Sequence, residues 1–242
     1  MRLMKKIILF LMIYGFGLVQ AQLPDRKPGE WFSTTGFEAI FSFGNVNNID
    51  SIQPKNVVRF SLFFDFAWNA NYDFNPVLGF YTGWDVRNIG FINTFNVPGL
   101  AGGGVTLKQR CYDIGIPLAL KVGNLKKDNY LAFGGEMEFM FAFKQKVLWN
   151  GYKDVNYVWG SSYANPVNPS IFAELHNQHG GYIRVKFYSK DFLKNEYMGF
   201  AIAGTNQFVN FQPSSSKLFY VSIGTAIRSK RLRNRHADKN DV

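Results

Sequence analysis

Residues 57–69 read Val57-Val58-Arg59-Phe60-Ser61-Leu62-Phe63-Phe64-Asp65-Phe66-Ala67-Trp68-Asn69. In an extended chain this puts Phe60, Leu62, Phe64, Phe66 and Trp68 on one face, and Arg59, Ser61, Phe63, Asp65, Ala67 and Asn69 on the other. Strand side chains alternate between faces, so the stretch predicts a strand with one apolar and one polar wall. A tilted strand needs about 9–11 residues to cross a bilayer. The run has that length as well as that period.

The same period recurs along the chain and predicts eight strands, near 31–43, 57–72, 77–92, 105–121, 130–144, 170–177, 181–190 and 217–228. The fifth sets Leu131, Phe133, Met137, Phe139, Phe141 and Phe143 against Tyr130, Glu136, Glu138, Ala142 and Lys144. Connections after the second, fourth and sixth strands are tight, and those after the first, third, fifth and seventh are long. Outer-membrane barrels pair short periplasmic turns with long outward loops, and an even strand number leaves both termini periplasmic. The expected fold is therefore all-β, an eight-stranded antiparallel up-and-down transmembrane β-barrel over residues 22–228.

A soluble lipocalin-type barrel also alternates over eight strands, with its apolar face inward. Composition favours the membrane form, because the polar faces are rich in Gly, Ser and Ala where a soluble exterior would carry Lys and Glu. The apolar faces carry Phe and Trp suited to lipid and to interfacial belts. Helical spanning is excluded: no window after residue 30 approaches 18 continuous apolar residues.

The N-terminus supplies an address. Arg2, Lys5 and Lys6 precede an apolar run from Ile7 to Val19, followed by a small residue at Ala21. That order is a secretory signal peptide, residues 1–21, and the apolar run is too short for a membrane anchor. The net charge of +10 is concentrated at the two ends, in this segment and in the tail from Arg228. With no nucleic-acid motif present, a nucleic-acid partner is not expected. Residues 229–242 are basic, polar and without period, expected as a disordered periplasmic tail. Cys111 is the only cysteine, so no intrachain disulfide forms.

In the fourth strand, Tyr112-Asp113-Ile114-Gly115-Ile116-Pro117-Leu118-Ala119-Leu120-Lys121 resembles the Y-x-x-I-P-L-x-L-K strand motif of the PorT-like outer-membrane β-barrel family of Gram-negative bacteria. The resemblance implies fold and cell-envelope location, and carries over no active-site residue. The segment His176 to Gly181 and the basic tail depart from the family pattern. Pro117 itself donates no ladder bond and predicts a bulge or break.

Candidate functional residues fall in two sets. Glu38, Arg59, Asp65, Asp85, Arg87, Asp113, Glu136, Glu138, Lys144, Arg184 and Lys186, with Lys121 and Glu174, share the inward faces if strand phase holds. Eight strands enclose little more than side chains, and buried charges persist when paired. The expectation is thus a salt-bridge network that seals the lumen, the alternative being a narrow transport path for ions or small solutes. Trp149, Tyr152, Tyr157, Trp159 and Tyr163, in the 148–168 connection, are recognition anchors for other envelope proteins or an extended hairpin above an aromatic belt. The His176-x-x-His179 pair lacks a third ligand, and no metal, cofactor or catalytic group is expected.

Overall fold

The computed structural model describes residues 27–49, 52–100, 104–160, 163–202 and 204–228; the segments expected from sequence to be a signal peptide and a disordered tail lie outside them. Along the chain run β1 (Trp31–Asn48), β2 (Lys55–Val57), β3 (Arg59–Ser61), β4 (Phe66–Asp73), β5 (Leu78–Phe95), β6 (Val105–Asn124), β7 (Asn129–Trp149) and β8 (Tyr152–Trp159). Then follow β9 (Val167–His176), β10 (Gly181–Tyr188), β11 (Gly199–Ala201), β12 (Phe208–Asn210) and β13 (Pro213–Arg228). Pairing is antiparallel in the order β13-β10-β9-β7-β6-β5-β4-β1, and β1 closes onto β13 from Thr34↔Arg228 outward. The result is an eight-staved up-and-down barrel, with β2, β3 and β4 forming one stave and β8 a hairpin extension of β7.

Tight turns gather at one end. Asn75 caps the β4–β5 turn by accepting from the Val77 and Leu78 amides at 2.8 Å, and Asn177 does the same for Gly181 in the β9–β10 turn at 3.1 Å. Side-chain acceptors of this kind stand in for backbone partners in short turns. Both ends of the barrel wall, Trp31 and Arg228, lie at this end too. The long connections all leave the opposite, long-loop end.

The faces are sorted inside out relative to a water-soluble protein. Leu118 is 62%, Leu131 55% and Ile171 67% exposed, whereas Arg87, Lys121 and Lys186 are 1% exposed or less. The outward residues of β6 run apolar from Val122 through Leu120, Leu118, Ile116 and Ile114 to Tyr112. Ten residue steps at about 3.3 Å, tilted about 40°, rise roughly 25 Å, the height of the apolar band on outer-membrane barrels.

Three departures from the sequence reading have local causes. The second strand is broken: pairing shifts from Phe41↔Phe60 to Phe37↔Phe66, so two extra residues bow out between β3 and β4. Phe64 there takes φ +65°, costly for a bulky residue, and Phe63, expected inward, is 75% exposed. The second departure is in β7, where Tyr112↔Ala142 gives way to Asp113↔Met140 and leaves Phe141 as a bulge. One extra residue inverts every side chain beyond it. Phe143, expected toward lipid, is fully buried in the interior, and Lys144, expected in the lumen, points outward. Pro117 does interrupt a ladder: β5–β6 pairs lapse between Thr82↔Leu118 and Asp85↔Gly115, and the Thr82 hydroxyl donates to the Pro117 carbonyl at 2.8 Å.

Third, the 189–212 connection folds inward. Phe192 packs edge-on against Phe91 with ring centroids 5.0 Å apart, and Phe95 meets Phe200 and Phe211 at 5.3 and 5.0 Å. Tyr197 donates its hydroxyl to the Gln145 side-chain oxygen at 2.5 Å. The long-loop half of the barrel thus holds an apolar core of strand and loop residues together.

Candidate functional site

The interior has two tiers. Below the apolar core lies a charged layer built where inward positions of seven staves meet at one height. Arg87, on β5, is its hub: Nε donates to Glu38 Oε1 at 2.7 Å, and Nη1 donates to Asp85 Oδ1 at 2.7 Å and to Glu136. Lys186 lies 2.6 Å from Glu136 Oε1 and also contacts Glu138, which accepts from the Tyr188 hydroxyl at 2.9 Å. Arg184 bridges Glu38 at 3.1 Å and Glu174, with its Nε 2.5 Å from the latter. Ser222 donates to the remaining Glu38 oxygen at 2.6 Å.

Room for this layer comes from missing side chains. A Cβ at Gly115 would collide with the Asp85 and Glu136 carboxylates, and one at Gly224 with the Tyr182 ring. Toward the tight-turn end Lys121 pairs with Asp73 at 2.7 Å and donates to Asn71 at 3.0 Å. His176 lies 2.7 Å from Glu174 and is stacked between Tyr130 and Tyr182, at 4.4 and 4.9 Å. A void here, lined by Asn71, Tyr81, Tyr130 and His176 among others, measures about 20 Å³, room for about one water.

Arg59 and Asp65 do something different from the rest of the set. Where the second stave bows out, Asn88 has no ladder partner on that side; Arg59 Nη1 donates to its carbonyl at 2.9 Å and Asp65 accepts from its N–H at 2.9 Å. Two charged side chains thus mend the wall, as an unpaired buried peptide group is costly. Asp113 reaches the charged layer, but neither of its carboxylate oxygens has a hydrogen-bond partner among the described residues.

Lys144 is the one residue of the expected lumen set that the structure places elsewhere, for the bulge reason given above. Without it the buried carboxylates, Glu38, Asp65, Asp73, Asp85, Asp113, Glu136, Glu138 and Glu174, number eight. The buried Lys and Arg among described residues are five: Arg59, Arg87, Lys121, Arg184 and Lys186. By count the interior is therefore acidic.

The aromatic set divides as well. Tyr152, Tyr157 and Trp159 lie exposed on β8, zipped to β7 from Trp149↔Tyr152 to Ala142↔Trp159. Trp149 and Tyr163 instead pack against the apolar core, Tyr163 beside Phe143 and Tyr197 at 5.7 and 5.6 Å. The 148–168 connection is therefore half hairpin and half core. Sequence reading missed the 189–212 segment altogether. Its signal was an aromatic and aliphatic content, Phe192, Tyr197, Phe200, Ile202, Val209 and Phe211, that an exposed loop does not carry.

Among the described residues no group of three or more His, Cys, Asp or Glu is arranged to hold a metal ion. No family model and no curated protein matches the chain. Among solved structures it is similar to Ail, the attachment invasion locus protein of Yersinia pestis, in complex with the heparin analogue sucrose octasulfate. Identity is 10%, covering 83% of this chain and 99% of that one, with a TM-score of 0.37. It is also similar to the outer membrane protein OprG from Pseudomonas aeruginosa, at 11% identity, 84% and 98% coverage and a TM-score of 0.33.

Proposed function

We propose that this chain is a non-enzymatic, non-conducting barrel of the outer membrane, of the PorT-like type, whose role is structural or one of interaction. Residues 1–21 direct its export. The tight-turn end, both termini and the tail 229–242 face the periplasm, and the long loops face outward. Outer-membrane lipid surrounds the wall, and other envelope proteins meet the chain at the β7–β8 hairpin or the basic tail.

The observation that carries this reading is the double closure of the interior: a layer of paired charges across the middle and an apolar core from the 189–212 segment above it. Neither tier alone would be needed by a pore, and a transported solute would have to displace both. The inside-out sorting of side chains supports lipid as the surroundings, since an exposed apolar belt of this height is not tolerated in water. Purified protein in planar bilayers is expected to show no steady conductance, and its unboiled form to migrate apart from the boiled form on a gel. Reproducible single-channel steps from the unaltered chain would overturn the closed reading in favour of a narrow transport barrel.

A further inference from the structure

Above the apolar belt the outward face of β6, β7 and β8 changes character within one residue step. Lys108 lies directly opposite Lys146, and Arg110 directly opposite Lys144, in neighbouring rows of the same ladder. Lys153 on β8 flanks them, paired one row further out with Leu148. Directly opposed residues on one sheet face have Cβ atoms about 4.5–5.5 Å apart, and like charges so placed destabilise the sheet. None of the five makes an ion pair among the described residues, and Asp154, the only acid of β8, pairs with Val147 and so belongs to the other face of the ribbon. Arg110 lies over the Tyr112 ring at 5.4 Å and Lys144 over the Tyr157 ring at 5.8 Å, so the square of cations has aromatic neighbours but no anion among the described residues, and its opposed like charges cost the fold.

Its surroundings identify what compensates it. On the tight-turn side the square is bordered by a chain of rings, Phe64–Tyr112 at 5.8 Å, Tyr112–Phe141 at 6.2 Å, Phe141–Trp159 at 6.3 Å and Tyr157–Trp159 at 5.4 Å. Beneath those rings the wall is apolar for the height of a bilayer core. Apolar belt, aromatic girdle and cation square therefore follow one another on the same strands, and the square sits at the depth of lipid headgroups.

We propose that Lys108, Arg110, Lys144 and Lys146 form a binding site for a phosphorylated lipid headgroup of the surrounding outer leaflet, the acyl chains lying along Ile114, Phe139 and the belt below. This rests on the membrane reading above. The spacing of four cations in a square suits a headgroup carrying two phosphates, which a single lysine would not hold against salt.

The test uses the full mature chain refolded into phosphatidylcholine vesicles that contain lipid A with both phosphates, or lipid A with its phosphates removed. Folding is read by heat-modifiable migration, and lipid retained after mild detergent extraction is counted by native mass spectrometry. The wild type is expected to retain bisphosphorylated lipid A, less so as salt rises, and not to retain the dephosphorylated form. K108Q/R110Q/K144Q/K146Q is expected to fold at least as well, since it relieves like-charge crowding, and to retain about ten-fold less or lower still. Equal retention of the two lipids by the wild type overturns the proposal, even where the variant fails to fold. Equal retention by wild type and a folded variant overturns it too. A wild type that folds into neither vesicle brings down the membrane reading and this site with it.

Discussion

At the residue scale, the side chains of this protein are placed by what lies outside the wall as much as by what lies within. Leu118 is 62% exposed at the middle of the apolar belt, so Leu118→Arg is expected to impair folding into vesicles by about 2–4 kcal/mol. Lys144→Gln, on the outward face above the belt, is expected to be close to neutral when both variants are unfolded from vesicles by urea. The opposite order would mean that lipid does not contact the belt. Inside, Arg87 is 1% exposed and touches Glu38, Asp85 and Glu136. Arg87→Ala leaves those carboxylates buried against one another, and a loss of roughly 3–5 kcal/mol is expected from equilibrium unfolding. Arg87→Lys keeps a charge but not the several donors that reach separate carboxylates, so it is expected to recover part of that loss.

At the scale of single elements, β7 is the informative case. Its alternation predicts a strand over its whole length, yet the inward set changes parity at Phe141, because Phe139-Met140-Phe141 is a run of three apolar residues in which no alternation is written. Deleting Phe141 lets Ala142 follow Met140 directly against Tyr112 and Asp113, so strict alternation then runs through the strand with Phe143 inward and Lys144 and Lys146 outward. Such a deletion is expected to keep the heat-dependent gel shift, whereas inserting one alanine between Ala142 and Phe143 would invert the residues beyond it and is expected to abolish that shift. Loss of the shift on deletion would show that the bulge itself is required. The second stave carries a related lesson: the very stretch whose alternation marks the barrel is the one where the ladder breaks, and Arg59 and Asp65 bond the Asn88 peptide across the gap.

At the scale of the whole molecule, closure is shared by the two tiers, so each is expected to hold alone. Replacing residues 192–211 with a short Gly/Ser linker removes the apolar tier and is expected to lower the unfolding temperature without producing conductance. Combining that replacement with Arg87→Ala is expected to open the interior. Because eight buried carboxylates face five buried Lys and Arg, the leak is expected to favour cations, as acidic linings do in channels. Anion-selective steps, or steps from the loop replacement alone, would show that the charged layer does not close the barrel. The acidic bias was hidden in the sequence by Lys144, which strand phase carried to the wrong side, and by Asp73, which joins the buried carboxylates from the end of β4.

What the sequence determined by itself is whatever a two-residue period can write. It fixed the strand positions to within a few residues, the antiparallel order through the alternation of tight and long connections, and the inward placement of Glu38, Asp85, Arg87, Glu136, Glu138, Arg184 and Lys186. Side-chain direction along an unbroken strand is a local property, and each of those residues lies on the regular side of any bulge. Tertiary structure alone decided the rest: where phase is lost, which peptide groups must be mended by side chains, and that the 189–212 segment turns back into the barrel. Those outcomes depend on contacts between residues far apart in the chain, such as Phe91 with Phe192 and Arg59 with Asn88. A bulge costs little by itself and is selected by the packing on both of its faces, and no periodicity in one strand records the needs of its neighbours.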